Sequence, residues 1–326
     1  MSTASREPFT LGTILRSHSG RTYKIEEVLS YRRNPLPCVY RASAGAKSFI
    51  VKDVISGEFE YQLDLQKSLS GSSNIRTVAD TIRDNGHEMF IYPFLTGDLL
   101  RLARNPSLTA AMRRNILRNA LQGLAYMHER DVLHNDIKPD NILVGYEESV
   151  NDGITVTDVQ VSDLDDAVIV PPGKWLRGPL CGNAMWRSPE SWCRAAQNQA
   201  SDVFSFAIVM IYVMENEMVF RVDDTLLASP DSWRHILSRH ISYFGDLDGL
   251  QGLLVHIGEN NDFFPRLLEL AEGFGKQNPR QPVGSWVYLE PRLKDLVGRM
   301  TNLDPNKRVT AKEALGHEWF NDVVHT

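Results

Sequence analysis

Cysteine is scarce in this chain. Its 326 residues include three, Cys38, Cys181 and Cys193, and no two of them form a CxxC pair. That argues against a thiolate zinc site or a dithiol redox centre. So low and odd a count suits a reducing compartment. Long apolar runs are missing too. The longest, Val203 to Met214, falls short of the ~20 residues a bilayer span needs and reads as a buried helix. The opening residues lack the apolar core of a secretory signal. There is no excess of positive charge: 35 Lys+Arg stand against 41 Asp+Glu, a net charge of −6. General electrostatic binding to nucleic acid or anionic lipid is therefore not expected. Repeats and low-complexity tracts are also lacking. These absences lead us to expect an intracellular protein, cytoplasmic or nuclear, monomeric and without membrane insertion.

What is present is ordinary for a folded chain: 42% hydrophobic and 23% charged residues. The first third looks strand-rich. Tyr23 to Leu29 alternates, and Cys38–Ala42 and Lys47–Ile55 flank a turn-like Ser43-Ala-Gly-Ala; Glu88–Tyr92 is a further apolar strand closed by Pro93. Phe59 to Leu69 has helical spacing through Phe59, Leu63 or Gln62, Leu65 and Leu69. From Thr109 to His128 a broad stripe of Met112, Ile116, Leu117, Ala120, Leu121, Leu124 and Met127 predicts a helix, with Ser107 or Thr109 as N-cap. Short strands are expected at Ile142–Val144 and Val159–Val161, and several helices over 201–322. A small strand-rich part before a larger helical part predicts an α+β fold with two lobes. The junction falls near Leu95-Thr-Gly-Asp98, and an inter-lobe cleft there is the expected ligand site.

Residues 133–144 read Leu-His-Asn-Asp-Ile-Lys-Pro-Asp-Asn-Ile-Leu-Val. A carboxylate, an amine and a carboxamide crowd one short polar turn. Phosphoryl transfer needs such a set: a carboxylate to orient or deprotonate a hydroxyl, a fixed cation for the moving phosphoryl group, and oxygen ligands for Mg²⁺.

This stretch resembles the catalytic loop of eukaryotic protein kinases, of the serine/threonine type. The resemblance makes Asp136 the catalytic carboxylate, Lys138 the γ-phosphate cation, and Asn141 a Mg²⁺ ligand. Further matches follow in order. Phe49-Ile-Val-Lys52 resembles the strand bearing the ATP-binding lysine. Ser162-Asp163-Leu-Asp-Asp-Ala resembles the DFG segment and puts Asp163 on Mg²⁺. Cys181 to Glu190 resembles the segment ending in A-P-E, and Ser201-Asp202-Val-Phe-Ser-Phe the start of the central helix. Leu303 to Leu315 resembles the closing block, where Arg308 would pair with Glu190. The resemblance implies a bilobal fold with a β-rich N-lobe and a helical C-lobe. Its boundaries are an extension over 1–22, the N-lobe over 23–95 and the C-lobe over 96–322, together one kinase domain, 23–322. It also implies ATP and Mg²⁺, a protein substrate, and a nucleotide site that includes Lys52, Val39, Leu95, Asp98 and Leu143. Tyr92 stands at the gatekeeper position, and the Pro93 carbonyl is expected to face an adenine amino group.

The departures are specific. The stretch matching the glycine-rich loop, Tyr31 to Val39, has no glycine and carries Pro35 and Pro37, which lack N–H groups for phosphate. Arg32 and Arg33 either substitute with side-chain charge or form a solvated basic turn. Ile50 replaces a smaller residue beside Lys52. The expected glutamate partner of Lys52 falls on Gln62, with Glu58 and Glu60 as alternatives. Asp165 replaces the DFG glycine, Asp166 follows it, and Asn183 replaces a threonine expected to bond the catalytic Asp and Lys. Asn135 replaces the arginine that receives an activation-loop phosphate, and residues 163–190 contain no Thr or Tyr and one Ser, Ser188. Two readings stand: an ATP-dependent serine/threonine protein kinase, and a pseudokinase that uses the fold for nucleotide binding or scaffolding.

Overall fold

The computed structural model describes residues 7–31, 38–55, 57–84, 86–149, 153–178 and 180–321. The chain divides into two compact units, Met1–Thr96 and Gly97–Thr326. Strands dominate the first and helices the second, so the α+β class expected from the sequence is the class found.

The first unit contains β1 (Ile14–Arg16), β2 (Thr22–Ser30), β3 (Val39–Ala44), β4 (Lys47–Asp53), α1 (Phe59–Ser68), β5 (Asp80–Asp84) and β6 (His87–Pro93). They form one antiparallel sheet in the order β1-β2-β3-β4-β6-β5. The alternation in β2 buries Tyr23 and Ile25 and exposes Lys24 and Glu26, as period-two geometry requires. Those side chains join Tyr40, Ala42, Phe49, Val51, Ile82, Met89 and Ile91 in one core. On the other face, Phe59 of α1 packs with Phe90 and Tyr92. The reverse turn between β3 and β4 places Gly45 at φ 62°, a conformation only glycine takes without strain.

Two strands of this unit went unread in the sequence. β1 is three residues long and β5 is mostly polar (Asp-Thr-Ile-Arg-Asp). Both lie at the sheet edges; β1 fully buries no residue and β5 only Ile82, which leaves no alternation to read. The edge is tied down by Asp80, whose carboxylate accepts from Ser19 Oγ (2.5 Å) and Tyr23 Oη (3.1 Å).

The second unit opens with β7 (Gly97–Asp98), α2 (Leu99–Leu102), α3 (Ala110–His128) and β8 (Val132–Leu133), then β9 (Ile142–Ser149), β10 (Gly153–Val161) and β11 (Val168–Ile169). The remainder is helical: α4 (Pro189–Trp192), α5 (Gln199–Glu215), α6 (Asp224–Leu227), α7 (Ser232–Phe244), α8 (Leu247–Ile257), α9 (Phe263–Glu272), α10 (Pro291–Met300) and α11 (Ala311–Leu315). Thr109, not Ser107, caps α3, accepting from Met112 N. β9 and β10 are longer than expected. They run on past Val144 as a hairpin whose outer residues, Glu147 to Ser149, are exposed. Polar residues with no buried face carry no strand signal. Helix α5 is the apolar run noted above. Every residue from Ser201 to Val213 is buried, the mark of a helix at the centre of a core. Asn198 caps its start and Asn216, in the left-handed region, ends it. No helix among the described residues is long and apolar enough to cross a membrane.

Candidate active site

The turn between β8 and β9 is held from below by α5. Asp202, in the first turn of that helix and buried, accepts the backbone N–H groups of His134 (2.8 Å) and Asn135 (3.0 Å), and meets His128 Nε2 at 3.0 Å. Asn135 sits at φ 70°, and such a backbone persists where the surroundings over-determine it. His134 is fully buried. Its Nδ1 accepts from Asp136 N (3.2 Å), which leaves Nε2–H to donate to Ser162 O (2.9 Å). The two segments that carry the candidate site are thus joined through one imidazole.

Asp136 is 8% exposed. Its Oδ2 accepts from Lys138 Nζ at 2.6 Å and from Asn141 Nδ2 at 3.1 Å; the same amide also donates to Asp136 O at 2.8 Å. Pro139 starts a single 3₁₀ turn over Pro139–Asn141, which folds Asn141 back onto Asp136. Burial works against the charge on Lys138, but the hydrogen bond and charge of Asp136, with Asp140 and Asp163 beyond, prevail and raise its pKa. Asp140 itself is pushed up, chiefly by burial.

Ser162 donates from N (2.8 Å) and Oγ (3.0 Å) to Asn141 O. This pins Asp163, at φ 62°, one residue beyond the bonds to Asn141. Asn141 spends its amide nitrogen on Asp136, so its oxygen is the end left to offer. A carboxamide oxygen and a carboxylate are the hard donors Mg²⁺ takes, with phosphate oxygens filling the remaining positions. This donor set fits magnesium. Asp166 has its pKa raised by burial first, then by the charges of Asp136, Asp163 and Asp165. Its carbonyl accepts from Asn135 Nδ2 at 3.1 Å.

Asn183 does not do what its threonine counterpart was expected to do. Its Oδ1 accepts from Met185 N at 3.0 Å, a local turn, and it makes no hydrogen bond to Asp136 or Lys138. The neighbouring Gly182 (φ 73°) is needed. A Cβ there would lie 2.9 Å from Asn135 O and 3.9 Å from Asp136 Oδ1. Sequence reading passed over this glycine because only the close approach of two distant loops makes it special.

Leu143 and Asp98 lie opposite each other in the β9–β7 pair. Asp98 caps α2 by accepting from Arg101 N at 2.9 Å, a task that spacing alone did not reveal. In the first unit, Val39 and Lys52 are direct partners in the β3–β4 pair, and Leu95 follows β6 outside any element. Ile50 pairs with Tyr92. The Tyr92 hydroxyl accepts from Gln66 Nε2 (3.1 Å), and Gln62 is buried on the same face of α1. Glu60 instead pairs with Arg83 at 2.6 Å, and Glu58 is exposed before the helix. The Pro93 carbonyl, expected to face an adenine amino group, already accepts from Arg76 at 2.8 Å. Arg32, Arg33, Pro35 and Pro37 lie outside the described residues.

The sequence profile described as the protein kinase domain matches residues 50–320. The chain is 22% identical over 262 residues to a "Probable serine/threonine-protein kinase fhkD" of Dictyostelium discoideum, covering 76% of this chain and 29% of that protein. It is 23% identical over 250 residues to a "Calcium/calmodulin-dependent protein kinase type 1" of Macrobrachium nipponense, covering 76% and 58%. It is 22% identical over 315 residues to an "Aurora kinase" of Eremothecium gossypii, covering 96% and 69%. The matched stretch is thus under two thirds of the length of the first two relatives. The profile spans most of the chain and includes every element of the Asp136 site, and on that ground the chain belongs to the protein kinase domain family.

Proposed function

We propose that this chain is an ATP-dependent serine/threonine protein kinase that transfers the γ-phosphoryl group of ATP to a protein hydroxyl. The observation that carries this reading is the triad Lys138–Asp136–Asn141, closed at 2.6 and 3.1 Å around one carboxylate oxygen. A structural loop has no need to bury a carboxylate, an ammonium and a carboxamide together.

Asp136 orients the substrate hydroxyl and takes its proton as the bond to phosphorus forms. Lys138, held charged by Asp136, neutralises the moving phosphoryl group. Asn141 and Asp163 would hold Mg²⁺, which would supply charge neutralisation on the phosphate oxygens. Lys52 binds the phosphates further back, Val39, Leu95 and Leu143 contact the base, and Asp98 faces the ribose. Positioning and electrostatic stabilisation do most of the work in this chemistry.

A second reading, a nucleotide-binding or scaffolding pseudokinase, is favoured by one set of observations. Gln62, which carries no charge, stands buried where the resemblance placed a glutamate, and Arg76 already donates to the Pro93 carbonyl.

The deciding experiment incubates the purified chain with Mg²⁺, labelled ATP and a generic protein substrate, beside Asp136→Ala and Asp163→Ala. Label incorporated by the wild type and lost in both variants supports the enzyme. No incorporation, with no Mg·ATP-dependent rise in Tm, removes the first reading. A Tm rise without transfer supports the second.

A further inference from the structure

Arg187 is a half-buried cation. Its Nε is buried and meets no acceptor, and one terminal amine donates to Gly182 O. The guanidinium lies over the Trp192 ring, 4.7 Å from the centroid. Among the described residues no carboxylate forms an ion pair with it. Burial pushes its pKa down to about 10, and the charge of Arg194 acts in the same direction; Cys181 and Asp136 oppose them. Arginine offers five N–H donors in a rigid fork. Holding that fork half-buried with one acceptor is costly unless an anion completes it.

Its place is specific. The point where a Gly182 Cβ would stand is 3.6 Å from Arg187 Cβ and 3.9 Å from Asp136 Oδ1. Arg187 and Asp136 thus both flank Gly182, and the Asp136 charge acts on the guanidinium. Successive residues of a peptide are ~3.8 Å apart, the same scale as the spacings from the Gly182 Cβ position to Arg187 Cβ and Asp136 Oδ1. The surrounding segment has the matching charge. Residues 167–194 carry Lys174, Arg177, Arg187 and Arg194 against Glu190 alone, and Glu190 is neutralised by Arg308. None of the other three cations forms an ion pair with a described residue. This basic stretch belongs to a chain whose net charge is −6.

We infer that Arg187 selects the substrate by receiving an anionic side chain, carboxylate or phosphate, on a residue adjacent to the phosphoacceptor hydroxyl. This rests on the kinase reading and deepens it to a substrate class. A charge-assisted, two-pronged contact is the interaction an arginine makes best with such a group.

The test measures transfer from Mg·ATP to matched serine peptides that differ only in the two flanking residues: Asp, phosphoserine, Ala or Lys. The expected result is a kcat/KM for the anionic peptides about tenfold or more above that for Ala. The difference should reside in KM and shrink with added salt. Comparing the Asp and phosphoserine arms shows which anion is preferred. Arg187→Gln should bring the ratio close to one, and Arg187→Glu should turn it toward the Lys peptides, a reversal that mere structural damage would not produce. A flat wild-type profile, or a preference that survives in Arg187→Gln, overturns the inference and leaves the kinase reading standing. If no peptide is phosphorylated at all, the kinase reading fails. Fluorescence anisotropy with the same labelled peptides then judges Arg187: tighter binding of the anionic peptides, lost in Arg187→Gln, upholds the site, and equal binding overturns it.

Discussion

Glu190 and Arg308, 118 residues apart in the chain, form a two-pronged ion pair at 2.6 and 2.7 Å with both side chains almost wholly buried. Arg308 also donates to the carbonyls of Asn302, Ala200 and Leu303 and lies over the Phe204 ring. The pair therefore ties the segment after the candidate site to the end of the second unit.

Breaking this pair should be costly. Glu190→Ala or Arg308→Ala leaves one buried charge unmatched, an effect of about 3–5 kcal/mol, read as a lower urea midpoint. Burial opposes the charge on Glu190, but Arg308 prevails and holds its carboxyl below the ordinary glutamate range. A lowered folded pKa means the pair's stability is fully present above the unfolded glutamate value and is lost as pH falls below it. Equal stability of wild type and Glu190→Ala at pH 7 would contradict this account.

His240 gives a second pH dependence. It is buried, stacked on Phe220 at 4.0 Å, with Nδ1 2.8 Å from Ile236 O and Nε2 3.2 Å from Arg187 O. Burial pushes its pKa down to about 4. The folded protein keeps it neutral while the unfolded chain protonates near 6.5. Stability from this site is therefore complete above about pH 6.5 and declines as pH falls through about 4. The span corresponds to roughly 3 kcal/mol. Urea titrations between pH 4 and 7 should show a shallower slope for His240→Gln.

Activity should not depend on phosphorylation between Asp163 and Pro189. The one hydroxyl there, Ser188, is fully buried, caps α4 and meets Ser201 Oγ at 2.7 Å. Asn135 meanwhile bonds Asp166 O directly, without the arginine that would need a phosphate. Phosphatase treatment should leave transfer unchanged. A phosphopeptide from this segment whose removal abolished transfer would sink the prediction.

Gly182→Ala should damage the site more than the fold. The new methyl meets Asn135 O at 2.9 Å at a φ of 73°, so the loop bearing Asp136 must shift. Misplacement of this kind costs about a hundredfold in rate. Steady-state transfer should fall by that order while thermal unfolding moves by only a few degrees.

Asp136→Asn keeps the shape of the site but removes the proton acceptor. Transfer should drop by about 10²–10⁴-fold, measured by single-turnover label incorporation. Retention of more than a tenth of wild-type activity would argue that Asp136 is not the base.

Much of this protein was legible residue by residue. Core strands β2, β3 and β4 announce themselves because the side chains alternate, and β6 through a continuous apolar run, Met89 to Tyr92, buried on both faces. Helix α3 does so through its capping residue and apolar spacing, and α5 through its continuous apolar run. The spacing of Asp136, Lys138 and Asn141 is local, since a six-residue turn can be read along the chain. Edge strands β1 and β5 and the outer hairpin of β9 and β10 were not legible, because polar residues at a solvent edge leave no periodic signature.

Other features depend on distant segments meeting. Asn183 was assigned a partner by position, yet its amide turns to Met185 N. The Pro93 carbonyl was expected to face an adenine amino group, and the fold brings Arg76 to it as a donor. Gly182 is one of 22 glycines in the sequence until Asn135 arrives against it, and Arg187 is one arginine among many until the fold half-buries it. Local order follows from bonding and periodicity within a few residues. Burial, charge balance and close approach are properties of pairs far apart in the chain, and those exist only once it has folded.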